Sequence, residues 1–551
     1  MKRNILSLAA LFVCGALFAQ EDNKNAVVSV ENDYNPTVVT VNKKNFTPTV
    51  EGKSNAQPAE LIFSKQATPY KGFVSERDSK GILPAQEKAL PGYLRLGYGI
   101  RNDVDAKLAY NLNFGNNSYL RVLGAFDGFK CNVNEENGKW MSRLFNTAAG
   151  LDFGYKFKTL TVGITGDFNN RVLNYQRANN DAGSLNNQHH MNYNVDINGV
   201  SHLAGPIAYT FKAGYASSLM CYIDGAKSPI TENHIKAGGT FSYEVYTNYM
   251  RRAGIDIDFN GFLYNKTLHN SVHKYSDFLS MDFNPYADFN FNDWKITFGV
   301  NMNFRTGNGP VLAAAPHITV DKALTNRISF YANVTGGRKD NSFKVIEGIT
   351  PYWGYNSIDS KQIKPTYKII DATVGTRMTF EPLYFDVFAG YVLTKDDLLQ
   401  TAVYSSITPA ALIYSNFAQE FTNDLHVGSR IGYDYGGWLN IEADARYDYW
   451  TCKNKNLLVL RPEVTANAKI EILPIKNLTM RVGYNFTRYT KSENGKRISD
   501  KHDLYARVGY SINKYIGAFI QGENLLNDKY YEYAGYQTRG IRGMLGVTVN
   551  F

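Results

Sequence analysis

The strongest constraint in this 551-residue chain is a period of two, repeated in segments of roughly ten residues. In one segment Leu439, Ile441, Ala443, Ala445, Tyr447 and Tyr449 alternate with Asn440, Glu442, Asp444, Arg446 and Asp448. In another Trp294, Ile296, Phe298, Val300, Met302 and Phe304 alternate with Lys295, Thr297, Gly299, Asn301 and Asn303. Ile255, Ile257, Phe259 and Leu263 stand against Asp256, Asp258 and Asn260, and Leu478, Met480, Val482, Tyr484 and Phe486 against Thr479, Arg481, Asn485 and Thr487. Successive side chains of a strand point to opposite faces, whereas a helix would smear these two sets together. The segments are therefore expected to be strands with one apolar and one polar face.

A soluble sandwich alternates too, so the decision rests on the polar face and on the aromatic rings. The polar faces carry carboxylates and cations in number, which suits a wet interior rather than a second packed layer. Tyrosine and phenylalanine are abundant, at 39 and 32 residues. They gather near strand ends, as Tyr447, Tyr449 and Trp450 do in one segment and Trp294 does beside Asn292 and Asp293 in another, which suits two membrane interfaces. No internal run approaches the roughly 20 apolar residues a spanning helix needs. The expected fold is all-β, a transmembrane antiparallel barrel, closed because an open sheet edge in lipid would leave backbone groups unsatisfied.

Counting from residue 91 gives about 22 strands, within a range of roughly 20 to 24. Tight links at Gly115 to Ser118, Phe157 to Thr159, Glu381 to Pro382, Gly436 to Gly437 and Asn513 to Lys514 alternate with long ones. The long ones include 171–187, 338–363, 398–420 and 491–503. Short turns in the periplasm and long loops outside are the asymmetry of an outer-membrane barrel, and an even count puts both termini in the periplasm. The chain end agrees: Ile541, Leu545, Val547, Val549 and Phe551 alternate with Arg542, Met544, Thr548 and Asn550.

At the other end Lys2 and Arg3 precede the apolar stretch Ile5 to Phe18, with Ala19 before Gln20, so residues 1–19 read as a secretory signal peptide. Cys14 follows Val13, where a lipoprotein site would want a small residue, and the plain signal is preferred. Residues 20–90 are rich in Asn, Lys, Glu, Thr and Pro, a composition poor in surface to bury. They are read as a mostly irregular segment, either a periplasmic arm or a thread into the lumen. Cys131, Cys221 and Cys452 are odd in number and widely spaced, so neither a disulfide framework nor a metal site follows. The net charge of +9 is spread thinly, which argues for a solvated surface and against a nucleic-acid partner.

No constellation points to catalysis, and no cofactor is implied. Asp256 with Asp258 and Glu442 with Asp444 are carboxylates two apart on one face; they read as lumen polarity, paired by neighbours such as Arg446, Lys295 and Arg481. His189 and His190 point to opposite faces of a strand or sit in a loop, and make poor joint ligands. Loop 338–363 holds Tyr352, Trp353 and Tyr355 beside Arg338, Lys339 and Asp340, a mixture suited to stacking against a sugar ring or a peptide, or else to covering the loop's own underside or sitting at the lipid interface. Loop 398–420 is unusually apolar and either folds inward or meets a partner protein.

The segment Gly522, Glu523, Asn524, Leu525, Leu526, Asn527, Asp528, Lys529, Tyr530 and Tyr531, followed by Tyr536, Gly540 and a final strand ending at Phe551, resembles the end of a TonB-dependent receptor. The approach to the last strand departs from the family's usual Gly-Arg, reading Arg539, Gly540, Ile541, Arg542 and Gly543. The resemblance implies nutrient uptake across the outer membrane, assembly by the barrel-assembly machinery, and contact with outer-membrane lipid and with periplasmic or outer-membrane partner proteins. It also implies a plug, yet only residues 20–90 precede the barrel, too few for the family's globular plug domain. Thr37 to Val41 faintly resembles the segment that couples such receptors to TonB. Such a barrel either takes up a nutrient or simply permits diffusion; the competing expectation is a barrel that does not transport and serves as a subunit of an outer-membrane assembly or secretion complex.

Overall fold

The computed structural model describes residues 90–551 apart from 136–137, 177–187, 203–204, 224–225, 246, 248, 266–274, 308, 354–361 and 405–412. The signal peptide, the 20–90 segment up to residue 89, the Thr37 to Val41 stretch and Tyr355 lie outside the described residues.

Strands β1 (Gly92–Gly99), β2 (Val104–Phe114), β3 (Ser118–Glu135), β4 (Gly138–Lys156), β5 (Leu160–Leu173) and β6 (Gln188–Ser201) open the chain. They are followed by β7 (Ile207–Ile223), β8 (Ala226–Glu244), β9 (Met250–Tyr264), β10 (Phe278–Phe291), β11 (Trp294–Arg305) and β12 (Leu312–Ala323). Next come β13 (Ile328–Lys339), a helix α1 (Phe343–Ile349), β14 (Thr366–Phe380), β15 (Leu383–Tyr404), β16 (Ile413–Tyr435) and β17 (Leu439–Cys452). The last are β18 (Pro462–Ile475), β19 (Leu478–Tyr489), β20 (Lys501–Ser511), β21 (Ile516–Glu523), the small hairpin β22 (Tyr531–Tyr533) and β23 (Tyr536–Gln537), and β24 (Arg542–Asn550).

All but the small hairpin form one 22-stranded antiparallel sheet. Neighbours in sequence are neighbours in the sheet, and β24 closes the ring on β1 from Tyr93 opposite Asn550 to Gly99 opposite Met544. Gly92 and Phe551 exchange two backbone hydrogen bonds of 2.7 and 3.0 Å, and the Phe551 ring stacks on Tyr110 at 5.8 Å. Closure leaves the ring without an edge, which is what a sheet in lipid requires.

The alternation appears as two faces. Tyr447 and Tyr449 are exposed on the outside while Asp448 between them is buried, and Phe298 and Val300 face out beside an inward Asn303. Trp450, grouped above with the outer rings, faces the lumen instead. It stands opposite the buried Asp424, donates its indole N–H to the Pro462 carbonyl at 2.7 Å and lies under Arg461. Links at one end of the barrel are tight, as at 292–293, where Asn292 and Asp293 both have positive φ, and at Gly436 and Gly437, which do the same. Such paired left-handed residues match the twist of the flanking strands. Connections at the other end are longer, among them 265–277, 340–365, 453–461, 490–500 and 524–541.

Two of the expected loops are not as the sequence reads. Most of 398–420 is strand: β15 and β16 run on as a hairpin, with Leu398 opposite Gln419 and Leu399 opposite Ala418. Leu398 and Leu399 are both buried there. The 338–363 stretch is a loop in outline, but it carries α1 and folds inward.

Inside, the wall is a mosaic of ion pairs. Lys212 meets Asp258 at 2.8 Å, Lys236 meets Asp196 at 2.6 Å, Lys469 meets Glu442 at 3.2 Å and Arg481 meets Glu471 at 2.7 Å. Asp444 accepts a hydrogen bond from Asn467. Glu442 and Asp444 thus find partners on the neighbouring β18 and Asp258 finds one on β7, two strands away, none of them the cations expected from local sequence.

Candidate functional site

The barrel's distinctive chemistry lies where the long connections meet. The 340–365 connection leaves β13, turns back over the lumen and is pinned to walls far from its own strands. Ser342 caps α1 by accepting from the Val345 amide at 3.3 Å. From β8, the Glu232 carboxylate accepts the Phe343 amide at 3.0 and 3.2 Å and the Tyr264 hydroxyl at 2.9 Å. A carboxylate suits the start of a helix, whose first amides have no partner within the helix. At the other end of α1, Glu347 accepts from Arg171 of β5 at 3.0 Å and from Asn192 of β6 at 2.6 Å. Strands β5 and β13 stand eight places apart around a ring of twenty-two. These bonds can form only across the lumen.

Apolar packing follows the same path. Phe343 and Ile346 sink into a cluster with Met220, Ile230, Phe262, Tyr264, Phe278 and Trp353. The Phe343 ring meets Trp353 at 5.2 Å and Tyr264 at 5.6 Å. Beyond the helix, Thr350 donates its hydroxyl to Ser415 at 3.1 Å, Ser415 donates its amide to the Tyr352 carbonyl at 3.0 Å, and Tyr175 donates its hydroxyl to the Trp353 carbonyl at 2.7 Å.

The C-terminal motif supplies the last wall. Asn524, with φ of 47°, accepts the Asp528 amide and donates its side-chain N–H to the Asp528 carbonyl, both at 2.9 Å, which curls the connection after β21. Asp528 also accepts the His502 amide, and Thr538 donates to the Asp528 carbonyl. Lys529 and Leu525 remain toward the outside of this curl, while Tyr530 is buried under the Lys501 ammonium at 5.1 Å. The curl presents Tyr533 and Tyr536 to the inward loop. Tyr536 stacks on Tyr352 with ring centres 3.7 Å apart and planes 11° from parallel, and Tyr533 meets Tyr352 edge-on at 5.6 Å. Trp140 packs edge-on against Tyr536 at 5.9 Å. The motif is thus structural, a platform for rings, and Phe551 sits at the opposite end of the barrel closing the seam.

Two of the rings expected to face a ligand are therefore turned inward: Tyr352 and Trp353 are 5 % and 3 % exposed. Burial, reinforced by the charge of Glu532, raises the Tyr352 phenol above its usual range. Asp340 at the root of the connection is also raised by burial, against the pull of its ion-pair partner Arg305.

One constellation was not found in the sequence. Asp424 and His426 of β16 and Asp448 of β17 bring their ligand atoms within 4.8 Å of one another. Arg446 already lies among them, bonding Asp424 at 2.9 Å and also Asp448, while His426 Nδ1 stands 3.1 Å from Asp424. A guanidinium in that position supplies the positive charge that two buried carboxylates demand. The arrangement fits an ion-pair network better than a metal. Its signal was present, Asp-x-His opposite Arg-x-Asp on facing strands, but only the register aligns them. His190 faces the lumen, its ring 5.6 Å from Trp353, and His189 points the other way. Among the described residues Cys131, Cys221 and Cys452 form no disulfide.

No protein-family model matches this chain, and no curated protein does. Among solved structures it is similar to the siderophore receptor PirA from Acinetobacter baumannii, at 10 % identity and a TM-score of 0.66, covering 85 % of this chain and 81 % of that one. PirA from Pseudomonas aeruginosa gives 11 % identity and a TM-score of 0.62 over the same shares. The FrpB iron transporter from Neisseria meningitidis gives 11 % and 0.63, covering 84 % of this chain and 82 % of that one. At such identity the likeness is one of fold: the chain has the 22-stranded barrel of TonB-dependent receptors.

Proposed function

We propose that this chain is an outer-membrane uptake barrel of the TonB-dependent receptor kind, not an enzyme, inserted with its long connections outside and both termini in the periplasm. The observation that carries the reading is a polar, ion-paired lumen spanned at its mouth by the 340–365 connection. A wet passage with a covering element suits gated uptake rather than free diffusion. The solved structures it is similar to are receptors and a transporter, which favours transport over the structural-subunit alternative. Residues 20–90 belong to the periplasmic side in this reading, as an arm or as a partial filler in place of a plug. Nutrient contact falls to Tyr352 and Trp353 once the connection lifts, and Tyr355 is proposed for the same role.

Single-channel conductance in a planar bilayer tests this. The unaltered chain is expected to be silent or to open briefly, a chain with 343–349 replaced by a Gly/Ser linker to conduct steadily, and a chain starting at Lys88 to conduct only if the segment fills the lumen. A large steady conductance in the unaltered chain would show a passive pore. Silence in all three would return the barrel to a structural role.

A further inference from the structure

Two opposite charges stand unpaired at the mouth, where β19 and β20 meet the hairpin of β22 and β23. Lys501 opens β20 on its lumen side, opposite Thr487 of β19, and is only 6 % exposed. Among the described residues no carboxylate pairs with it and no acceptor takes its ammonium hydrogens. Asp503, next along the same face, is occupied by the Asn524 amide at 3.1 Å. What covers Lys501 is the Tyr530 ring, whose centre lies 5.1 Å from the ammonium. A buried ammonium faced by one ring is under-compensated, because removing a charge from water costs far more than a cation–π contact returns.

Glu532 stands two residues beyond Tyr530 and so shares its side of the extended segment, while Tyr531 and Tyr533 take the other side, where Tyr533 meets Tyr352. It is exposed, and among the described residues it too has no ion-pair partner. The guanidinium of Arg542, which also faces this side, is taken by Glu523 at 2.5 Å. Burial raises the Tyr530 phenol, and the charges of Asp503 and then Glu532 add to the shift, as a carboxylate close to that ring requires. Tyr489 ends β19 two residues beyond Thr487 and brings a further phenol to the lumen side. The Tyr489 and Tyr530 hydroxyls have no hydrogen-bond partner among the described residues, yet neither they nor the Lys501 ammonium are sealed from the lumen. These groups line accessible space.

An ammonium with two phenol donors on the one hand and a carboxylate on the other, near one another but not bonded, complement a molecule that carries both charges itself. We propose that this site binds a short peptide by its termini, the free carboxylate on Lys501 with Tyr489 and Tyr530, and the free ammonium on Glu532. A purely anionic ligand would be repelled by Glu532, and a neutral sugar would leave both charges unpaired. Calling the peptide a nutrient rests on the uptake reading above. Its binding does not.

Isothermal titration of trialanine into the full chain in detergent micelles tests the site, with thermal unfolding confirming that each variant is folded. Trialanine is expected to bind, and N-acetyl-trialanine and trialanine amide each to bind about tenfold more weakly. Lys501→Gln should weaken trialanine by a similar factor and no longer distinguish it from the amide, and Glu532→Gln should do the same with respect to the N-acetyl form. Lys529→Gln, on the outer side of the same connection, should change nothing. Absence of trialanine binding to the unaltered chain, equal binding of free and capped peptides, or an equal loss in the Lys529 variant would each overturn the proposal. Conductance separates it from the reading it rests on. Trialanine bound by a chain that is silent in every form would leave the site and remove uptake, whereas the conductance pattern expected above without trialanine binding would remove the site alone.

Discussion

Arg171 on β5 and Glu347 in α1, 176 residues apart in the chain, meet at 3.0 Å across the lumen. Arg171 also donates toward the Glu347 carbonyl at 3.5 Å, and Asn192 holds the other carboxylate oxygen. The contact ties the free end of the inward connection to the wall opposite its own strands. Whatever lifts the connection must first break it.

Removing the guanidinium should therefore loosen the mouth without unfolding the barrel. Arg171→Ala leaves the buried Glu347 carboxylate uncompensated, a loss of about 2 kcal/mol after discounting for the partly exposed arginine. That corresponds to about a thirtyfold rise in the open-to-closed ratio, read as channel open probability. The thermal unfolding of the sheet should not move. An unchanged open probability would mean that this pair does not hold the loop.

The stacked pair Tyr352 and Tyr536 should couple the inward loop to the C-terminal connection. A double-mutant cycle with alanine at each position is expected to give a coupling of about 1 kcal/mol, measured from hydrogen exchange of the amides in 530–538. Burial raises the Tyr352 phenol above its usual 10.0, and Tyr533 moves the same way for the same first cause. A folded-state value raised above the unfolded one gives packing that is fully present below pH 10.0 and lost as pH climbs beyond it. Exchange protection should hold through neutrality and fail at strongly alkaline pH, and Tyr352→Phe should make that failure shallower. Protection that falls near neutral pH would contradict this assignment.

The two faces of one strand should respond in opposite ways to the same side chain. On β14, Val374 is 47 % exposed on the outer face near the middle of the apolar belt, and Thr373 beside it faces the lumen. Val374→Arg is expected to cost about 2–4 kcal/mol of folding free energy in lipid vesicles, whereas Thr373→Arg should cost under about 1 kcal/mol. Denaturant titration in vesicles checks both, and equal costs would mean that the lipid face is misassigned.

The sequence by itself determined the barrel. Alternation such as that from Leu439 to Tyr449 assigns each side chain to lipid or lumen because a strand turns its side chains over at every residue. Turns such as Asn292 with Asp293 mark where the chain reverses, since few residue pairs accept positive φ twice in a row. From those two local rules come strand number, the asymmetry of the ends and the closing strand at Phe551. Only the tertiary structure decided what fills the mouth. Helix α1 spans seven residues, too short to show a helical period, and its anchors Glu232, Arg171 and Asn192 are ordinary lumen-facing strand positions until the ring closes and brings the opposite wall within reach. The same holds for Asp424, His426, Arg446 and Asp448, which register alone gathers. Contacts of this kind depend on which strands stand opposite one another, and local periodicity carries no information about that.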